Sequence, residues 1–129
     1  MPTAQKELSA LCDAVSEIVA LSYAAFADGD MDAAVRIEPL EEVIDDLKLH
    51  LRDQHILRLK NGDCTVEAGF IWSDLLTNLE RVADHCSNVA AGVLDASRDN
   101  MNAHKLVREM KNSERFDRLY AEYTQKYTV

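Results

Sequence analysis

Apolar residues recur along the first part of the chain in steps of three and four. Leu8, Leu11, Val15, Ile18, Ser22 and Ala25 form one stripe of an amphipathic helix over about residues 4 to 27. The segment Asp28-Gly29-Asp30 supplies a glycine stop and an aspartate start, so the chain reverses there. A second stripe, Ile37, Leu40, Ile44, Leu47 and Leu51, predicts a helix reaching Lys60. Pro39 removes one backbone donor and either kinks this helix or marks a late start for its regular part.

Asn61-Gly62-Asp63-Cys64 is the next stop, with Asp63 or Thr65 placed to cap the third helix. That helix, about residues 65 to 97, carries Leu75, Leu79, Val82, Cys86, Val89 and Val93 in the alternating spacing of a coiled-coil seam. A shorter helix from about 101 and a last one capped by Ser113 complete a two-part C-terminal arm ending near 127. In the last helix Phe116, Leu119, Tyr120 and Tyr123 share a face, and Phe116, Tyr120, Tyr123 and Tyr127 read as a packing stripe. Short connections between helices about 45 Å long force antiparallel neighbours. The prediction is an all-α, antiparallel helical bundle of three long helices plus that arm, one domain over residues 1 to 129 with its core repeat at about 4 to 97.

Composition agrees, with only 4 Gly and 2 Pro. The net charge of −9 argues against nucleic acid as a partner and for cations. The negative charge is concentrated: nine acids against three bases between Asp28 and Asp53, but four against six from 101 to 129. Cys12, Cys64 and Cys86 are odd in number, widely spaced and without a CxxC pair, which points to reduced thiols in a cytoplasmic setting. The charge-free run Ile18 to Ala27 is too short to cross a bilayer, so no membrane span is expected.

Two acidic pairs share one spacing, Glu41 with Asp45 and Glu80 with Asp84, each stacking its carboxylates on one helix face. Across an antiparallel hairpin turning between Gly62 and Asp63, residues at one height have numbers with a constant sum. Asp45 is then level with Glu80 and Glu41 with Asp84, while Asn88 extends the row one turn and is nearly level with Glu38. Like charges about 5 Å apart repel by roughly 3 kcal/mol at an effective dielectric near 20. Protonation, a neighbouring Arg36, Lys48 or Arg81, or a bound cation must compensate. Oxygen donors suit Mg, Ca or Mn, and carboxylates with an imidazole or amide also suit Fe. The alternative is a solvated acidic face flanking an apolar seam. His85 points about 100° from Asp84 and reads as a supporting or packing residue rather than a ligand. His50 and His55 are poorly spaced to share an ion, His104 has no visible partner, and Cys86 fills a seam position. No phosphate loop, nucleophile elbow, HExxH or repeated ExxH occurs, so an enzyme is not expected.

The run Asn78 to Ala90, NLERVADHCSNVA, resembles the signature helix of the PhoU family, and Glu41 to Leu47, EEVIDDL, resembles its companion acidic motif. The tail from Phe116 to Val129 is similar to the C-terminus of bacterial sodium/phosphate cotransporters that carry a cytoplasmic PhoU-like domain. The resemblance implies a three-helix PhoU repeat and a regulatory role in phosphate uptake at the inner face of the membrane. It also implies metal held by Glu41, Asp45, Glu80, Asp84 and Asn88, the ion being Fe, Mg, Mn, Ca or Zn. Free-standing PhoU proteins pair two repeats, so with one repeat here a shared cluster needs a homodimer, or the site is incomplete; the partners implied are a transporter's membrane portion or the phosphate-uptake machinery. A metal-free helical adaptor or dimerisation domain, and a carboxylate-bridged metal enzyme, remain as alternatives.

Overall fold

The computed structural model describes residues 2–98 and 105–129. Four helices succeed one another: α1 (Pro2–Ala27), α2 (Met31–Lys60), α3 (Val66–Arg98) and α4 (Lys105–Lys126). The first two reversals use the expected turn chemistry. Gly29 and Gly62 take left-handed backbone angles (φ 65° and 76°) that a side chain would strain. At the α2 end, Asp63 N–H donates to the Arg58 carbonyl at 2.8 Å and Gly62 N–H to that of Leu59 at 3.2 Å, a Schellman closure. Asp30 accepts from Ala33 N–H at 3.1 Å and Thr65 Oγ1 from Ala68 N–H at 3.1 Å, so α2 and α3 each start on a capped turn.

Helix α2 begins at Met31, which places Pro39 inside the helix and not at a late start. Its ring is fully buried, so apolar packing offsets the missing backbone bond. Leu11, Ile18, Ile37, Leu40, Ile44, Leu51 and Leu76 form the fully buried centre of the bundle, contributed by α1, α2 and α3.

The structure corrects three details. First, α4 runs without interruption through Ser113, so its described part is one helix and not two. The good helix formers Arg108, Glu109, Met110 and Lys111 before it and Glu114 and Arg115 after it carry the helix through Asn112 and Ser113. Second, the buried line of α3 is Leu76, Ala83, Cys86 and Ala90; Leu75, Leu79, Val89 and Val93 are half-buried beside it, and Val82 is 39% exposed. A helix wedged between two neighbours centres its contact face between them, and small Ala83 and Ala90 let its backbone come close. Third, Thr3–Ala27 is long and apolar enough to cross a membrane by length and composition, an 18-residue stretch of it having a mean hydropathy of 1.5. In the bundle the same helix carries Leu11, Ala14, Val15, Ile18 and Ala25 into the core.

Helix α4 lies against α2 and reaches α1 through its end. Lys126 Nζ donates to Glu17 at 2.6 Å, and the Tyr127 hydroxyl donates to the same carboxylate. Nearer its start, Arg115 pairs with Asp32 and the Tyr120 hydroxyl with Asp46. Tyr123 and Tyr127 are buried and stacked, ring centroids 6.5 Å apart, which makes this stripe a packing surface.

Candidate metal and regulatory site

The hairpin register places the acids. Glu38 on α2 accepts a hydrogen bond from the Ser87 hydroxyl on α3, and Asp45 faces Glu80, both at the heights expected from the turn. The rotation of α3 decides which acids turn inward. Glu80 reaches the α2 interface, whereas Asp84 and Asn88 stand on the exposed surface.

Three of the five sequence candidates therefore converge: Glu41, Asp45 and Glu80. Burial, then the charge of Asp45 four residues away, pushes Glu41 up to about 8, so at neutral pH Glu41 keeps its proton and donates it to Asp45. Burial also raises Asp45, with the Glu80 and Glu42 charges adding to it. Asp45 Oδ1 is buried and has no hydrogen-bond partner. Glu80 is different, because the Lys48 ammonium sits on its carboxylate. As arranged, no group of three or more His, Cys, Asp or Glu among the described residues is set to hold one ion. The donor chemistry nevertheless fits a hard cation: every donor is oxygen, one is buried and unpaired, and the Glu41 proton occupies the position of a neutralising charge.

The other candidates fall elsewhere. His85 is exposed and so is not a packing residue, and His104 lies outside the described residues. Cys86 is a core residue at 7% exposure. Two further features are not among the sequence candidates. Arg58 clasps Glu7 with two parallel bonds of 2.9 and 3.0 Å, the pair being 8% and 2% exposed, and its guanidinium lies 5.5 Å from the Trp72 ring centroid. His55, 8% exposed, stacks on Trp72 beside Cys64. The signal that could have found them is phase: Glu7 steps with Leu11, Ala14 and Ile18, and Arg58 with Leu51 and His55, so both charges sit on core-facing lines.

Known proteins supply the remaining comparison. The chain is 28% identical over 89 residues to the phosphate-specific transport system accessory protein PhoU homolog 1 of Thermotoga maritima, a match covering 69% of this chain and 38% of that protein. The chain thus spans well under half the length of this relative. No solved structure matches it. The model of the PhoU domain matches residues 8–93, which takes in most of α1, all of α2 and most of α3 with both acidic motifs, and the chain belongs to the PhoU domain family.

Proposed function

We propose that this chain is a regulatory domain of phosphate uptake that binds a metal ion on its α2/α3 acidic face. We place it at the cytoplasmic side of the membrane, as the PhoU-like domain of a sodium-dependent phosphate cotransporter. The observation that carries the metal reading is the buried Glu41 and Asp45 pair, with Asp45 Oδ1 unpaired and Glu80 opposite. The relative's printed name, an accessory protein of phosphate-specific transport, supports the transport context. Glu41 and Asp45 would hold the ion, Glu80 would join them on leaving Lys48, and Asp84 and Asn88 would add outer donors. A bound ion would supply positive charge between α2 and α3 and so make their pairing responsive to its supply. No catalysis is assigned.

Elemental analysis of the purified chain, with thermal melts with and without chelator, tests this. Bound metal, or a Tm raised by Mg2+, Mn2+ or Fe and insensitive to them in Glu41→Gln, is expected. A metal-free chain with a Tm indifferent to all three ions overturns it.

One observation favours a second reading, a dimerising adaptor. Tyr23 and Phe26 on α1 are 70% and 77% exposed, and Phe26 lines a cavity of about 460 Å³ together with Ala25, Gly29, Val89, Gly92 and Val93. Exposed aromatics beside an apolar hollow suit a partner surface, such as a second copy of the chain. Sedimentation at rising concentration separates the two. A homodimer that persists after Glu41→Gln and Asp45→Asn assigns association to the α1/α3 face and not to a shared metal.

A further inference from the structure

We infer that α4 is an autoinhibitory strap: it opens as a unit, and the α1/α2 groove it covers is a docking surface for a basic amphipathic helix of a partner protein. The three-helix repeat closes without it. Helices α1, α2 and α3 each pack against both of the others, whereas α4 packs chiefly on α2. Residues 8–93, the part matched by the PhoU domain, stop short of α4. Among the described residues, α4 and the residue after it bring only Leu119, Tyr123 and Tyr127 into the core.

The rest of the attachment is polar and lies at the rim. Arg115 pairs with Asp32, the Tyr120 hydroxyl donates to Asp46, and Lys126 and Tyr127 share Glu17. In each pair the acid belongs to the groove and the donor to the strap. Surface pairs of this kind add little stability, but they select which helix docks and in which register. The packing beneath is incomplete as well. A cavity of about 210 Å³ remains between α2 and the end of α4, walled by Val43, Leu47 and His50 on one side and by Thr124, Tyr127 and Val129 on the other. A helix held by three buried side chains, rim pairs and a part-filled floor opens at a lower free energy than the core below it.

The strap also defines what replaces it. Asp32, Asp46 and Glu17 ask for basic or hydroxyl groups, and the floor between them asks for apolar or aromatic residues four apart, as Leu119, Tyr123 and Tyr127 are. A partner helix of that pattern whose side chain also fills the cavity gains contacts that α4 does not make. While α4 is docked such a partner meets only the open fraction of molecules, and its apparent affinity is reduced by that fraction.

Hydrogen exchange on the full chain, read by mass spectrometry, tests the opening. Residues 115–126 are expected to exchange at least about tenfold faster than the centres of α1 and α2, and faster again as NaCl is raised from about 0.05 to about 0.5 M. A fluorescent peptide of residues 114–129 tests the groove. It should bind the full-length double variant Leu119→Asp with Tyr123→Asp, whose own α4 is ejected, at least about tenfold more tightly than the native chain. The same peptide carrying Arg115→Glu and Lys126→Glu should lose that binding. An α4 that exchanges no faster than the core, a double variant that loses α1 to α3 along with α4, or a peptide affinity equal for the two chains overturns the inference. A native dimer in sedimentation that the double variant fails to form overturns it too, by making the α4 of a second copy the occupant of the groove.

Discussion

Glu7 and Glu41 are both carboxyl groups withdrawn from water at an interface between long helices, and the protein treats them in opposite ways. Glu7 meets a guanidinium that matches both of its oxygens, and the pair is sealed beneath Trp72. Glu41 meets another carboxylate and holds a proton that a free glutamate would have lost. A buried acid whose counterion comes from the chain is part of the framework. One without a counterion either stays protonated or takes its positive charge from outside. The same residue type thus stabilises one end of the bundle and leaves the other responsive to solution conditions.

The framework end should break hardest. Arg58→Met leaves Glu7 buried without its partner, and urea unfolding should show a loss of about 3–5 kcal/mol. Replacing both, Glu7→Leu with Arg58→Met, should recover most of that, because an apolar pair of similar volume carries no desolvation cost. If the single variant costs under about 1 kcal/mol, the contrast between the two ends fails.

At the acidic end removal of charge should act in the other direction. Glu41→Gln should stabilise the metal-free chain at pH 8 by about 1 kcal/mol or less, the partial exposure of the site screening the repulsion. The pH profile carries the same sign. Since Glu41 is raised to about 8, the folded state holds a proton that the unfolded state releases above about 4.5, and this contribution declines as pH rises through that window. Glu17 is the opposite case. Burial raises it, but Lys126, Tyr127 and Tyr123 outweigh that and leave it lowered, so its contribution is present above 4.5 and is lost on acidification. Melts from about pH 3 to about pH 9 should fall at both ends, and Glu41→Gln should flatten only the alkaline side. The smallest effect belongs to Asp84→Asn, an exposed change expected to move metal-free stability by less than about 0.5 kcal/mol.

Much of this is legible in the sequence. The helices follow from the three-and-four spacing, the turns from Gly29 and Gly62, and the facing of Asp45 with Glu80 from counting across the second turn. The features that are not legible involve more than one pair of helices at once. The rotation of α3 depends on both α1 and α2, and a seam read from α3 alone favours large Val82 over small Ala83. Glu7 and Arg58 each fall on a core-facing line, but they are 51 positions apart and neither helix alone names the other residue as its partner. His55 stands out in the sequence only by its spacing to His50, whereas its neighbours are Trp72, Gly69 and Cys64 from beyond the end of α2. The two-part arm fails for the reverse reason, since a local capping signal is given more weight than helix continuity.

The small residues Ala83 and Ala90 on the buried line of α3 let that helix lie close to its neighbours. The connector Asn61 to Thr65 only returns the chain, and a residue inserted there is taken up by the loop while the buried line keeps Glu80 beside Asp45. A bulkier side chain at Ala83 would instead push α3 outward and part Glu80 from Asp45 with every acid still in place. The acidic cluster is thus held together by residues that carry no charge.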